Sequence, residues 1–589
     1  MKTGSETSRI GWLLKQMEGN RLLYVWGIFL TVVYNVMQLT VPYFSQLIVD
    51  DFLTGENAAH NLENNPTLLI VEVAAMVLLT FTRTIIVYCA CMTYEKVSQN
   101  ILYKVRNRLF DKLEHQDMSF YDRFRTGDLM TRLTGDLDAV RHMIAWVVRM
   151  LVECVVLFGS AAVYFLILDV QVAACLLITA PVIMILTGAF RNRVKPMHEA
   201  LRERLSLMNT ATQENISGNR VVRAFAREDY EIAKFKEANT EYSKANKKTV
   251  LTWLTFFPFI EMVANMLPVI LLIVGGIAMI DGRLTSGQYV AFSTLTWALA
   301  NPMRSLGNVL NEFQRFSAAS AKIIELDMAE PVVVDKADAI DHPGRFEGDI
   351  VFDHVSFSYD KLPIIRDLNM HIKPGQTIAI MGETGSGKTS LIQLIPRFYD
   401  PSEGSVRIDG VDIRDLKQEQ LRKNIGLATQ DVLLYSDSID GNIAYGDIDM
   451  PESRVRRYAK HAAAREFIEE LPEGYGTIIG ERGVGLSGGQ KQRISLARAL
   501  AIEPSILILD DTTSAVDMET EKNIQESLRN LSFPCTKIII AQRISSTKDA
   551  DQIFILRNGQ ITEQGTHDEL VAKKGYYYEL VKLQNGGVA

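Results

Sequence analysis

The stretch Gly382-Glu383-Thr384-Gly385-Ser386-Gly387-Lys388-Thr389 decides the reading of this chain. It follows the apolar run Thr377 to Met381 and leads through Ser390 into a second apolar segment. That is the strand, loop and helix context a phosphate-binding P-loop requires. Its glycines let backbone N–H groups curl around a phosphate. Lys388 reaches the outer phosphates, and the Thr389 hydroxyl is suited to Mg²⁺. Taken alone, such a loop also fits a kinase or a GTPase.

Two further motifs narrow the choice. About a hundred residues on stands Leu486-Ser487-Gly488-Gly489-Gln490, followed by Ile506-Leu507-Ile508-Leu509-Asp510. Ser487 and the two glycines offer a hydroxyl and N–H groups at the positive end of a helix, which suits a γ-phosphate. Ile506 to Leu509 reads as a buried strand that ends in a Mg²⁺-binding Asp510.

In this order, the three motifs resemble the nucleotide-binding domain of an ATP-binding cassette (ABC) transporter. The resemblance implies ATP and Mg²⁺ as cofactors. It implies that Tyr359 stacks on adenine, that Gly382 to Ser390 bind phosphate, and that Gln430 touches Mg²⁺ or water between two subdomains. It also implies that Ser487, Gly488, Gly489 and Gln490 close over the ATP of an opposite subunit, so that one chain cannot complete a site. Ser514-Ala515-Val516-Asp517 resembles the loop that crosses to the partner.

Two positions depart from the family pattern. The residue after the Walker aspartate is usually glutamate, and here it is Asp511. Its side chain is one methylene shorter, about 1.5 Å in reach, and a displacement of about 1 Å can cost about a hundredfold in rate. The histidine expected in the next switch loop is Gln542, within Ala541-Gln542-Arg543. A glutamine amide hydrogen-bonds a phosphate but lacks the protonation states of imidazole. Both changes predict an ATP site that holds nucleotide and hydrolyses it slowly.

Upstream, the composition is that of a membrane protein. A bilayer span takes about 20 apolar residues. Runs of this kind cover Leu22 to Val49, Leu68 to Tyr94, Ile144 to Leu168, Val170 to Phe190, Thr249 to Ile280 and Leu284 to Met303. The first run is too long for a signal peptide. The first loop carries Asp50, Asp51, Glu56 and Glu63 and no Lys or Arg. The two long connections are basic, with Lys104, Arg106 and Arg108 in one and Arg202, Arg204 and Arg220 in the other, and the N-terminus adds Lys2, Arg9 and Lys15. The positive-inside bias therefore places both termini in the cytoplasm.

Helical apolar spacing over Asn100 to Leu113 and Leu201 to Phe225 predicts that the spans continue beyond the bilayer. By the resemblance, short helices near Ser119 to Arg125 and Ser217 to Arg227 touch nucleotide-binding domains. Arg149 and Glu153, four apart, read as a pair on one helix face. Glu261, between Pro258 and Pro268 where proline can loosen a helix, and Arg83 are candidates to line a substrate cavity.

The expected fold is an α-helical six-span transmembrane domain (1–328), a linker (329–348) and an α/β P-loop nucleotide-binding domain with a helical subdomain (349–589). At 589 residues the chain is too long for one core. A net charge of −8 without a basic block argues against nucleic acid as a partner. The five cysteines lack zinc-ligand spacing.

The resulting expectation is one half of a heterodimeric multidrug-type exporter in the bacterial cytoplasmic membrane. It pairs with a second, different half-transporter and moves small hydrophobic or amphipathic compounds through the lipid bilayer. A lipid or peptide exporter subunit, and a membrane-bound ATP-sensing regulator, remain as alternatives.

Overall fold

A computed structural model of the chain describes residues 9–54, 66–342, 344–360, 362–480, 483 and 485–584. Lys2, Glu56 and Glu63, used above for topology, lie outside the described residues. Contacts divide the chain into two units. One comprises Met1–His115 with Arg125–Ala329, the other Gln116–Phe124 with Glu330–Ala589.

The first unit is helical. Five of its helical segments are long and apolar enough to cross a membrane among the described residues: Arg21–Thr54, Pro66–Glu114, Thr126–Leu168, Val170–Ser217 and Glu228–Ile280. The sequence suggests six. The sixth apolar run is helical too, but it is shared between Ser286–Leu295 and Trp297–Asp327. Thr296 between them keeps right-handed helical angles, and the continuation beyond Met303 is largely polar.

Pro66–Glu114 has 49 residues and so spans about 70 Å at 1.5 Å per residue. An apolar bilayer core is only about 30 Å thick. Its N-terminal part exposes Ile70, Val71, Val77, Leu78 and Phe81, which suits lipid. Its C-terminal part buries Tyr94, Val97, Ile101, Val105 and Leu109 at helical spacing. The extension is therefore an amphipathic helix packed on one face.

Proline does not open the helix beside Glu261. Glu228–Ile270 runs on through Pro258 and Pro268, and the wide turn comes later, at Leu271–Gly275. Asp50, read above only as an outer charge, accepts hydrogen bonds from the Thr285 hydroxyl and the Gly287 N–H, both at 2.7 Å. It thereby ties the first span to the start of Ser286–Leu295.

In the second unit, a four-stranded antiparallel sheet has the order β2-β1-β4-β5, formed by β1 (Ile350–Tyr359), β2 (Leu362–Ile372), β4 (Glu403–Ile408) and β5 (Val411–Asp412). A six-stranded sheet has the order β10-β9-β3-β8-β7-β6. Its strands are β3 (Thr377–Met381), β6 (Ile425–Ala428), β7 (Ile506–Asp510), β8 (Thr536–Ile540), β9 (Gln552–Arg557) and β10 (Gln560–Gly565). All its pairings are parallel except the β9–β10 edge. Parallel strands are covered on both faces, which is why β3 and β7 read as near-continuous apolar runs. On one face of this sheet a core joins Leu507 and Leu509 of β7 and Ile539 of β8 to the helices Glu452–His461 and Gly488–Ala501.

The segment Gln116–Phe124 belongs to this second unit, although it interrupts the membrane half in sequence. Its helix Met118–Arg123 is capped by Asp117, which accepts from the Phe120 N–H at 2.9 Å. The same carboxylate accepts from the N–H of Val332 and, at 3.1 Å, of Val333. Burial pushes the Asp117 carboxyl up, but the bonds from Ser119 and these backbone groups outweigh it and hold it below the usual carboxylate range.

Candidate functional site

The P-loop joins β3 to the helix Lys388–Leu394. Two of its glycines are required by shape. Gly382 has φ +151°, and a Cβ there would lie 2.1 Å from the Leu556 carbonyl oxygen. Gly387, at φ +100°, starts the helix in the left-handed region. Gly385 has open space beside it: a Cβ there would meet nothing within 4 Å. Ser386 is buried, with its hydroxyl oxygen in no hydrogen bond among the described residues. An orphaned donor inside a glycine loop fits a phosphate ligand.

Lys388 donates to the carbonyls of Gly382 at 2.9 Å and Glu383 at 2.8 Å, which holds its ammonium against the loop. Burial pulls its pKa down, opposed by the charges of Asp510 and Asp511. The Thr389 hydroxyl donates to Asp510 Oδ2 at 3.1 Å. Burial pushes the Asp510 carboxyl up; Thr389 and Lys388 lower it, and Asp511 adds to the rise. Two carboxylates and one partly disfavoured ammonium in a buried place leave negative charge to be matched. A hydroxyl and a carboxylate oxygen side by side are the hard donors that Mg²⁺ takes. The residues thus fit ATP with Mg²⁺, which brings the phosphates and the charge that neutralises them. Ser390 lies half-buried in the first turn of the helix.

Tyr359 ends β1. Its hydroxyl donates to Gln393 on the P-loop helix at 3.0 Å, and its ring meets Tyr399 edge-on with centroids 5.2 Å apart. Tyr399 in turn donates to Asp122 at 2.8 Å. The aromatic residue expected at adenine is therefore two contacts from the helix Met118–Arg123. Tyr399 escaped the sequence reading because nothing local marks it. A hydrogen bond to a charged group contributes about 1.5–3 kcal/mol. Tyr399→Phe is expected to loosen this helix, read as faster amide hydrogen exchange in Met118–Arg123 with exchange in β3 and β7 unchanged.

Gln430 follows β6 and is exposed. Ser487 and Gln490 cap their helix reciprocally. The Gln490 N–H donates to the Ser487 hydroxyl at 3.3 Å, and the Ser487 N–H to Gln490 Oε1 at 2.8 Å. Ser487 and Gly488 are exposed. A Cβ at Gly489 would sit 2.7 Å from the Ala515 oxygen, so only glycine lets this helix lie against the 514–517 loop.

Asp511 has a backbone held from three sides. Its N–H donates to the Ile540 carbonyl at 2.9 Å. Its carbonyl accepts from the Ser514 hydroxyl at 2.9 Å and from Gln492 Nε2 at 3.3 Å. Gln492 also donates to the Ser514 hydroxyl and accepts from the Ala515 N–H, both at 3.2 Å. The sequence reading passes over it, though i+4 and i+7 spacing to the apolar Leu496 and Ala499 puts it on the buried face. Gln542 is exposed, and its carbonyl accepts from Gln584 at 2.8 Å. The neighbouring Arg543 bonds the carbonyl of Ser514 at 3.1 Å and buried Glu521 at 3.2 Å.

In the membrane unit, Arg149 pairs with Glu153 at 2.8 Å, as the i,i+4 spacing suggests, and the Tyr34 hydroxyl donates to the same carboxylate. A cavity of about 1090 Å³ opens among the helices. Neither Glu261 nor Arg83 lines it. Glu261 instead pairs at 3.1 Å with Arg304, which does line it. Arg83 is half-buried, with its Nε unpartnered among the described residues. Arg304 lies one residue past the apolar run that ends at Met303, and a charge at a span edge was the signal available for it.

Comparison with known proteins gives consistent matches for both units. The family profile described as "ABC transporter transmembrane region" matches residues 24–303, and the one described as "ABC transporter" matches residues 365–514. The ABC transporter ATP-binding protein YknU of Bacillus subtilis (strain 168) is 35% identical over 96% of this chain and 95% of its own length. The ATP-dependent lipid A-core flippase of Syntrophus aciditrophicus (strain SB) is 36% identical over 83% of this chain and 81% of its own. A bacterial Atm1-family ABC exporter, solved with ATP bound, superimposes with a TM-score of 0.79 at 27% identity, covering 96% of this chain and 99% of the other.

Proposed function

Because the chain belongs to the ABC transporter family, as an exporter with one membrane domain and one ATP-binding domain, we propose that it is the slow-site half of a heterodimeric exporter. Exporters of this family work as dimers in a membrane, and the ATP-binding domain makes the chain a transport ATPase. In this reading the membrane is the bacterial cytoplasmic one, with the N-terminus and the ATP-binding unit on the cytoplasmic side. The cargo is a hydrophobic or amphipathic small molecule. The lipid A-core flippase among the relatives favours a lipid-like one.

The observation that carries the proposal is the anchoring of Asp511. Its N–H and carbonyl are fixed by Ile540, Ser514 and Gln492, so the backbone has little freedom to advance a shorter side chain toward water. Gln542 removes the imidazole that would assist it. The phosphate cradle, Lys388 and the Thr389–Asp510 pair keep the ability to hold nucleotide. Such a site clamps ATP and leaves rapid hydrolysis to the site formed by this chain's Ser487, Gly488 and Gly489 with a partner's P-loop.

A homodimer would place Asp511 and Gln542 at both sites, with no fast site to reset the cycle. The test is to purify the chain alone and beside a co-expressed half-transporter that carries glutamate and histidine at these positions. The pair is expected to hydrolyse ATP at least about tenfold faster than the chain alone. A robust, transport-coupled ATPase from the single chain would overturn the heterodimer.

A further inference from the structure

The cavity among Thr126–Leu168, Val170–Ser217, Glu228–Ile280 and Trp297–Asp327 changes character along its length. At one end are Phe190, Trp253 and Phe257, which sit where apolar runs meet the cytoplasmic extensions. Trp253 and Phe257 stack with centroids 4.5 Å apart and 14° between planes. Arg304, level with its partner Glu261, lies on the membrane side of these rings, and towards the extensions the lining turns basic, with Lys195, Arg202, Arg315 and Lys322. Lys195 and Arg202 are seven apart and share a helix face.

Three of these cations are paired: Arg304 with Glu261 at 3.1 Å, Arg315 with Glu312 at 3.8 Å and Lys322 with Asp136 at 3.6 Å. Lys195 and Arg202 form no ion pair among the described residues, and Glu199 is the one further carboxylate in the lining. Positive charge therefore stays in excess even when the partners outside the lining are counted. The buried Nε of Arg304 also lacks a hydrogen-bond partner among the described residues.

We propose that this cavity takes an amphiphile with an anionic headgroup, phosphate or carboxylate, and an alkyl tail. An apolar wall at membrane level receives the tail, and the basic end meets the head at the cytoplasmic boundary. A neutral head gains only the tail contact, and a cationic head is repelled. The proposal rests on the exporter reading for what becomes of the bound molecule, but not for its binding.

The test titrates the full chain in phosphatidylcholine nanodiscs without ATP and reads Trp253 fluorescence, with Trp253→Phe as the signal control. Dodecyl phosphate is expected to bind at least about tenfold tighter than dodecyltrimethylammonium or dodecyl maltoside. Lys195→Gln with Arg202→Gln is expected to erase that preference while leaving dodecyl maltoside within about twofold. Equal or tighter binding of the cation on the unmodified chain would overturn the anionic headgroup, as would a preference that survives the double exchange. Inorganic phosphate binding as tightly as dodecyl phosphate would overturn the tail. No hydrolysis enters this readout, so its failure and the failure of the exporter reading are separately visible.

Discussion

Exchanging Ser487 for Ala and Gly488 for Asp in the assembled transporter is expected to lower its ATPase about a hundredfold or more. Asp511→Ala is expected to lower it by less than about threefold. The asymmetry follows from where each residue acts in the proposed dimer. Ser487 and Gly488 stand exposed at the start of Gly488–Ala501, with the capping bonds between Ser487 and Gln490 fixing the turn. The Ser487 hydroxyl, which accepts within the cap, keeps its own proton to donate, and the Gly488 N–H belongs to the first helical turn, whose donors have no intrahelical partner; in the proposed dimer both meet a γ-phosphate on another chain. Removing one donor from a developing charge commonly costs about a hundredfold or more, and a carboxylate placed there adds repulsion. In the proposed dimer Asp511 belongs to the site that contributes little to turnover, so its loss is expected to remove little. Steady-state ATPase of the purified pair decides the matter. Equal losses from the two changes would refute the division of labour.

The second large effect is a gain. Asp511→Glu together with Gln542→His is expected to raise the ATPase of the chain purified alone by about tenfold to a hundredfold. The backbone of Asp511 is held by Ile540, Ser514 and Gln492, so the added methylene lengthens the reach from an unmoved base. Histidine restores a group able to hold or release a proton near neutral pH. Each exchange alone is expected to give less than the pair, since both serve one water and one phosphate. The check is ATP turnover of the four proteins beside Lys388→Ala versions of each, which set the background. No gain in the double variant would refute Asp511 and Gln542 as the cause of slow hydrolysis.

The local motifs were legible in the sequence because their chemistry is local. A phosphate loop needs glycines, a lysine and a hydroxyl within eight residues between a strand and a helix, and the chain places Gly382 to Thr389 between β3 and Lys388–Leu394. The apolar runs of β3 and β7 announced strands covered on both faces. The apolar spacing from Asn100 to Leu113 announced the buried stripe of the long second span.

What the sequence could not supply were meetings between distant faces. Glu261 pairs with Arg304, 43 positions on, which leaves the glutamate outside the cavity wall and the arginine in it. Gln492 acquires its role only when its helix lies against the 514–517 loop, an approach that Gly489 permits. Tyr399 reaches Asp122 only because Gln116–Phe124 folds with the C-terminal unit rather than with the helices that flank it. Periodicity tells which face of an element is apolar. It does not tell which other face comes to meet it, and that is settled by packing the whole chain at once.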